Sequence, residues 1–165
     1  MELTREHFSI IDLVKILEYC DKLLITHQIS LMHKNYESAL EQFEQLYKIR
    51  TTHLQIMEEK LLPLYKSVLT EFPEGGKPLY FIREKKLILK DLNRHVRFLG
   101  QLVLNPAQVT LDKVKLFEEY AWLKDLLDHH DAREKAFLFP ILDKEKLFSE
   151  LSTFYSKLEI QDEVN

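Results

Sequence analysis

Chain breakers and cross-links are scarce in this sequence. Three glycines and five prolines serve 165 residues. That is too few for a fold of many short strands and favours long uninterrupted helices. The single cysteine, Cys20, excludes an internal disulfide and fits a reducing, cytoplasmic setting. No apolar run approaches the roughly 18 residues of a membrane-spanning helix. The start, Met1-Glu2-Leu3-Thr4-Arg5-Glu6-His7, lacks the basic opening and apolar stretch of a signal peptide. Lysine and arginine form no isolated block and the net charge is −4. Nucleic acid and anionic membrane, which demand a basic patch, are therefore not expected as partners.

Several catalytic signatures are missing too. No glutamate stands three residues before any histidine, against the ferritin-like di-iron pattern. No His-Glu-x-x-His motif occurs, and Gly75-Gly76 lacks the rest of a phosphate loop. Cys20 has no basic neighbour in sequence to mark it as a nucleophile. A conventional enzyme is not expected.

What the chain has is helical pattern. With 45% apolar and 30% charged residues it reads as one domain with a sizeable core, spanning 1–165. A first helix is expected over about 9–33, with the stripe Ile10, Leu13, Leu17, Cys20, Leu24, His27, Leu31 in 3-4 spacing. Asn35-Tyr36-Glu37-Ser38 reads as the turn. A second helix is expected over 37–70, bent or loosened near Pro63, which cannot donate to the helical ladder. Phe72-Pro73-Glu74-Gly75-Gly76-Lys77-Pro78 is the one true breaker cluster. A third helix over 79–104 ends at Asn105-Pro106. A fourth runs from an N-cap at Thr110 to about Leu142, past Pro140. Leu147, Leu151, Phe154 and Leu158 suggest a short amphipathic tail helix. The fold class expected is all-α: an up-down antiparallel four-helix bundle with a short C-terminal helix.

The halves, about 9–72 and 79–142, with the tail over 143–165, resemble each other. A slide of 77 residues lays His53 on His130, Pro63 on Pro140, Met57 on Glu134 and Glu18 on His95. Such a repeat predicts two helix pairs closing one bundle.

Two apolar faces carry polar intruders. The fourth-helix stripe reads Leu116, Tyr120, Leu123, Leu127, His130, Glu134, Phe137, Ile141 without a miss. A buried carboxylate must be paired or neutralised. His130 and Glu134, four apart, share a face and are able to converge on one ion or to hydrogen-bond each other. The third-helix stripe Ile88, Leu92, His95, Leu99, Leu102 places His95 on the facing rod, expected within about two turns of His130. A phosphorelay histidine needs exposure, which this position on the stripe does not offer. The second helix offers His53, followed by Met57 and Glu58. Met57 reads as packing, since a thioether is a poor partner for a hard ion. Glu58 is a candidate to turn inward and Glu59 faces solvent. On the first helix Glu18 falls where the slide predicts a ligand, although beside the stripe. Cys20 reads as packing, His27 as a core histidine near the turn, and His7, His33 and His129 as peripheral.

The run from His130 to Leu142, with its His, its Glu four later and then Leu138-Phe139-Pro140, resembles the hemerythrin-like, or HHE cation-binding, family. His53 through Leu62-Pro63-Leu64 is similar to the same signature, with Met57 in place of its glutamate, and His95 resembles the third-helix ligand. The resemblance covers about 10–142. It implies a four-helix bundle holding non-haem iron, mono- or dinuclear, through His53, His95, His130 and Glu134, with Glu58 and Glu18 as additions. It also implies O2 or NO as ligands and a role in sensing or handling oxygen, nitric oxide or iron. The ligand set is incomplete, because the first-helix histidine is missing at its expected place. The reading from another class is a metal-free helical bundle that binds a protein partner or forms a homo-oligomer.

Overall fold

Helix dominates because the apolar residues recur every three or four positions and almost nothing interrupts them. A computed structural model describes residues 10–107 and 111–145, and among these there is no strand. The expected tail helix, the Thr110 cap and His7 lie outside the described residues. The chain runs as α1 (Ile10–Met32), α2 (Tyr36–Ile56), α3 (Leu62–Val68), α4 (Pro78–Leu104), α5 (Leu111–Arg133) and α6 (Phe139–Glu145). Because α2 leads into α3 and α5 into α6 through one π-helical turn each, the six segments make four long helical rods. No described helix is long and apolar enough to cross a membrane.

The first turn sits slightly earlier than the sequence suggests. Lys34 takes a left-handed conformation (φ 59°) and the Asn35 N–H reaches back to the Ser30 carbonyl at 2.9 Å. This closes α1 in the manner of a left-handed cap. Asn35 then caps α2, its side chain accepting from the Ser38 N–H. Tyr36, Glu37 and Ser38 are helix, not turn.

The π turns are Met57–Leu61 and Glu134–Leu138, and they lie 77 residues apart, the offset at which the two halves align. Each is followed two residues later by a proline, Pro63 and Pro140. A proline inside a helix lacks an N–H and crowds the carbonyl four residues before it. Widening the preceding turn to an i→i+5 bond, here Leu62 N–H to Met57 O and Phe139 N–H to Glu134 O, accommodates it without ending the helix.

Each π turn adds one residue and rotates the buried face. In the fourth rod, Leu116, Tyr120, Leu123, Leu127, His130 and Glu134 are buried, as the 3-4 spacing predicts. Beyond Glu134 the buried positions are Leu138, Phe139 and Leu142, and the expected Phe137 and Ile141 are only half-buried. The one-residue offset is the inserted residue of the π turn.

Cross-contacts set the registers. Tyr19 meets Gln45 (2.9 Å) and His27 meets the Ala39 carbonyl (2.6 Å), so positions rise along α1 as they fall along α2. Tyr47 with Asn93 and Glu58 with Lys85 give the same inverse order between the second rod and α4. Asp91 with Trp122 and Glu84 with His130 give it between α4 and α5. Arg50 with Asp131 and His53 with Glu134 rise together along α2 and the fourth rod. The interior is aliphatic and aromatic, with Leu13, Phe43, Phe81, Ile88 and Leu123 fully buried. Each such side chain contributes about 1.5–3 kcal/mol.

Candidate functional site

Into that apolar interior the rods bring charged groups in two adjacent layers. The lower layer is Arg50 of α2 and Asp131 of α5, joined by two hydrogen bonds of 2.6 and 2.7 Å. Burial works against the Arg50 cation, but the Asp131 carboxylate outweighs it and holds the guanidinium charged. Cys20 lies against this pair. Burial pushes its thiol up to about 11, with Arg50 pulling the other way, so it stays protonated and inert at neutral pH.

One turn further along both helices, Glu134 is buried completely. Its Oε2 accepts from His53 Nε2 at 2.7 Å. Its Oε1 lies 3.3 Å from His130 Nε2, out of line for a hydrogen bond. Both of these atoms are buried and have no hydrogen-bond partner among the described residues. Burial alone would raise the Glu134 pKa, yet the positive fields of His53 and His130 hold it far below the ordinary carboxylate range. His130 donates from Nδ1 to Glu84 Oε2 at 2.9 Å. Desolvation opposes its protonation, but the carboxylates of Glu134 and Glu84 push its pKa up to about 9. Glu84 also accepts from Arg133 Nε at 2.9 Å. Burial would raise the Glu84 pKa, and His130 and Arg133 together lower it. Arg133 in turn reaches the Gly75 carbonyl of the inter-half loop and donates to His129 Nε2. An unbroken polar chain thus links that loop to the buried carboxylate: Gly75, Arg133, Glu84, His130, Glu134, His53.

The candidate ligands fare unequally. His53, His130 and Glu134 come together. His95 does not: it lies eleven residues beyond Glu84 on α4, about 16 Å of helix rise, and packs at the level of Tyr120, not His130. The expected two-turn proximity fails because the α4–α5 register pairs His130 with Glu84. Glu58 points outward and is ion-paired with Lys85, because Met57, four residues after His53, takes the inward position. Glu18 is exposed, flanked inward by the buried Leu17. His33 and His129 are exposed.

Three participants escaped the sequence reading. Glu84 stands four residues before Ile88, so the α4 stripe extends back to it. Arg50 continues a 3-4 series through Phe43, Leu46 and His53. Both signals were present in the spacing. Asp131 is buried beside the stripe, and only its partner Arg50 explains that.

Two imidazoles and one carboxylate are the donor set of a facial-triad metal centre. The Nδ1–H of His130 on Glu84 is the outer-sphere hydrogen bond that typically orients a ligating histidine. Among the described residues, no group of three or more His, Cys, Asp or Glu is gathered around one point as a formed metal site. Comparison with protein-family models, with curated proteins and with solved structures found no significant match.

Proposed function

We propose that the four rods form an up-down antiparallel bundle of the hemerythrin-like kind, and that the protein is a non-haem metal-binding protein with a reduced ligand set. In this reading His53, His130 and Glu134 hold the ion, iron by the chemistry of the donors. The protein acts in the cytoplasm as a sensor or handler of oxygen, nitric oxide or iron. The inverse registers between successive rods support the bundle. One observation carries the site: His130 Nε2 and Glu134 Oε1 are buried 3.3 Å apart, neither with a hydrogen bond. Their ion pair leaves both atoms without an aligned hydrogen bond, which costs free energy unless something else completes them.

The residues divide the work. Glu134 supplies the anionic oxygen in a dry interior. His53 and His130 approach it from two different rods, so the centre forms only when the fold is complete. Glu84 fixes which ring nitrogen of His130 faces inward and balances its charge. Met57, where the other half has Glu134, gives a soft apolar wall instead of a second carboxylate, which limits the centre to fewer oxygen donors. An iron held by three such donors would offer open coordination positions to a diatomic ligand.

Anaerobic ferrous loading of chelator-stripped protein, followed by desalting and elemental analysis, tests this. About one iron per chain is expected, with His130→Ala and Glu134→Gln losing it. Metal-free wild-type protein after loading would overturn the assignment.

A second reading, a metal-free module that binds a protein partner or a second copy, is favoured by the charge balance. Arg50 pairs with Asp131, His130 with Glu134 and Arg133 with Glu84. This reading predicts the same melting temperature with and without metal.

A further inference from the structure

A second polar cluster lies at the other end of the interior. His27 of α1, His95 of α4 and Tyr120 of α5 are all buried. The ring centroid of Tyr120 is 4.9 Å from that of His27 and 4.7 Å from that of His95. Phe43 of α2 packs against both imidazoles, with centroids at 4.9 and 5.7 Å.

Both histidines are oriented the same way. His27 Nδ1 donates to the Ala39 carbonyl at 2.6 Å, and His95 Nδ1 donates to the Asp91 carbonyl at 2.7 Å. Each ring therefore carries its proton on Nδ1, which leaves the Nε2 lone pair as the acceptor. The lone pair of His27 is taken up by the Tyr120 hydroxyl, which donates to it. That of His95 is buried and has no partner among the described residues. A backbone carbonyl fixing Nδ1–H so that Nε2 is presented is the usual support of a metal-binding histidine. An imidazole buried with its acceptor unused needs an explanation.

We propose that His27, His95 and Tyr120 form a second metal site, separate from the His53–His130–Glu134 cluster, for one imidazole-preferring transition ion bound by two Nε2 atoms and the phenol oxygen. Tyr120 would bind as phenolate. The metal–oxygen bond then replaces the O–H bond, the proton passes to solvent, and His27 Nε2 exchanges that hydrogen bond for the ion. Without an ion the hydroxyl keeps its proton, because burial disfavours phenolate. Arg94, Glu119 and Asp91 all lie close enough to bear on His95, with Arg94 ion-paired to both carboxylates, so the ion would not enter a purely apolar surrounding. The donor set has two nitrogens and one phenolate, which suits Cu(II), Ni(II) or Zn(II) more than Mg(II) or Ca(II).

Cu(II), the strongest binder in the divalent series, is the probe. Chelator-stripped full-length protein is titrated with Cu(II) and followed by visible absorption and electron paramagnetic resonance, with helical circular dichroism as the folding control. A phenolate-to-copper charge-transfer band should grow with added metal and persist in His130→Ala, which belongs to the other cluster. Tyr120→Phe should abolish the band but retain coupling to two imidazole nitrogens. His95→Gln, which removes an Nε2 that makes no bond, should fold and should weaken binding by more than about tenfold. No band in the wild type, a band that survives Tyr120→Phe, or a Cu(II) binding curve left unchanged by His95→Gln overturns the site. If His95→Gln does not fold, the nitrogen coupling in Tyr120→Phe decides, and its absence overturns the site as well.

Discussion

At the scale of single residues, the buried histidines set how stability depends on pH. Burial pushes the pKa of His27 down to about 4 from 6.5, with the Ala39 carbonyl opposing and His95 adding to the shift. Between these values the unfolded chain binds the proton and the folded one does not. Stability therefore falls as pH falls from about 6.5 to 4, by about 3 kcal/mol. His130 works in the other direction. Its folded pKa is raised to about 9, so its contribution is complete below pH 6.5. It is lost as pH rises through about 9, again by about 3 kcal/mol. Urea unfolding of metal-stripped protein across pH 4 to 10 should give greatest stability between mildly acidic and neutral pH. A curve that is flat on the alkaline side would contradict the His130 pairing. The neighbouring layer gives a second residue-scale prediction. Asp131→Asn leaves the Arg50 guanidinium buried without its anion, and about 3–5 kcal/mol of stability should be lost. Replacing Arg50 and Asp131 together by apolar residues of similar size should restore much of it, as measured by denaturant midpoints. Removing only one charge is costly, whereas removing both removes the need for compensation.

At the scale of elements, the π turns decide which side chains meet the core. Leu138 is buried and Ile141 half-buried because Glu134–Leu138 holds one residue more than an α-helical turn would. Leu138→Ala should therefore cost about 2–5 kcal/mol and Ile141→Ala clearly less. An uninterrupted α-helix predicts the reverse order, so thermal unfolding of the two variants tells the geometries apart. The loop between the halves is fixed by close approach. A Cβ at Gly76 would lie 2.6 Å from the Tyr65 hydroxyl and 2.9 Å from the Phe137 ring. Tyr65 also donates to the Gly76 carbonyl at 2.9 Å. Gly76→Ala should displace one of these aromatic rings and cost about 1–3 kcal/mol. Because Arg133 holds the adjacent Gly75 carbonyl and also Glu84, the same substitution should perturb the His130 ring, visible as a shift of its imidazole resonances.

At the scale of the whole molecule, a ligand that binds only the folded chain must stabilise it. Ferrous loading at about 100 times the dissociation constant should add about 2.7 kcal/mol. For a domain of this size that corresponds to a rise of about 5–10 °C in Tm, reversed by chelator. An unchanged Tm would favour the metal-free reading. The all-helical class, the extents of the rods and the inward face of His130 and Glu134 were legible in the sequence, because they follow from 3-4 apolar spacing and from the sparse, well-placed breakers. The 77-residue offset aligned His53 with His130 as equivalent positions of the two halves, and the partner His53 meets in the structure is Glu134. The grouping of the other polar residues was not legible. Whether His95 sits beside His130 or three turns away depends on the register between α4 and α5, and side-chain packing along both rods sets that register. Glu58 and Glu134 both belong to five-residue π turns, yet one faces Lys85 at the surface and the other is wholly buried. Sequence alone determined which faces are apolar and which polar groups interrupt them, since that periodicity is a local property of a helix. Only the tertiary structure decided which interruptions meet, because a partner for a buried charge comes from another rod, and the alignment of rods belongs to the assembled core.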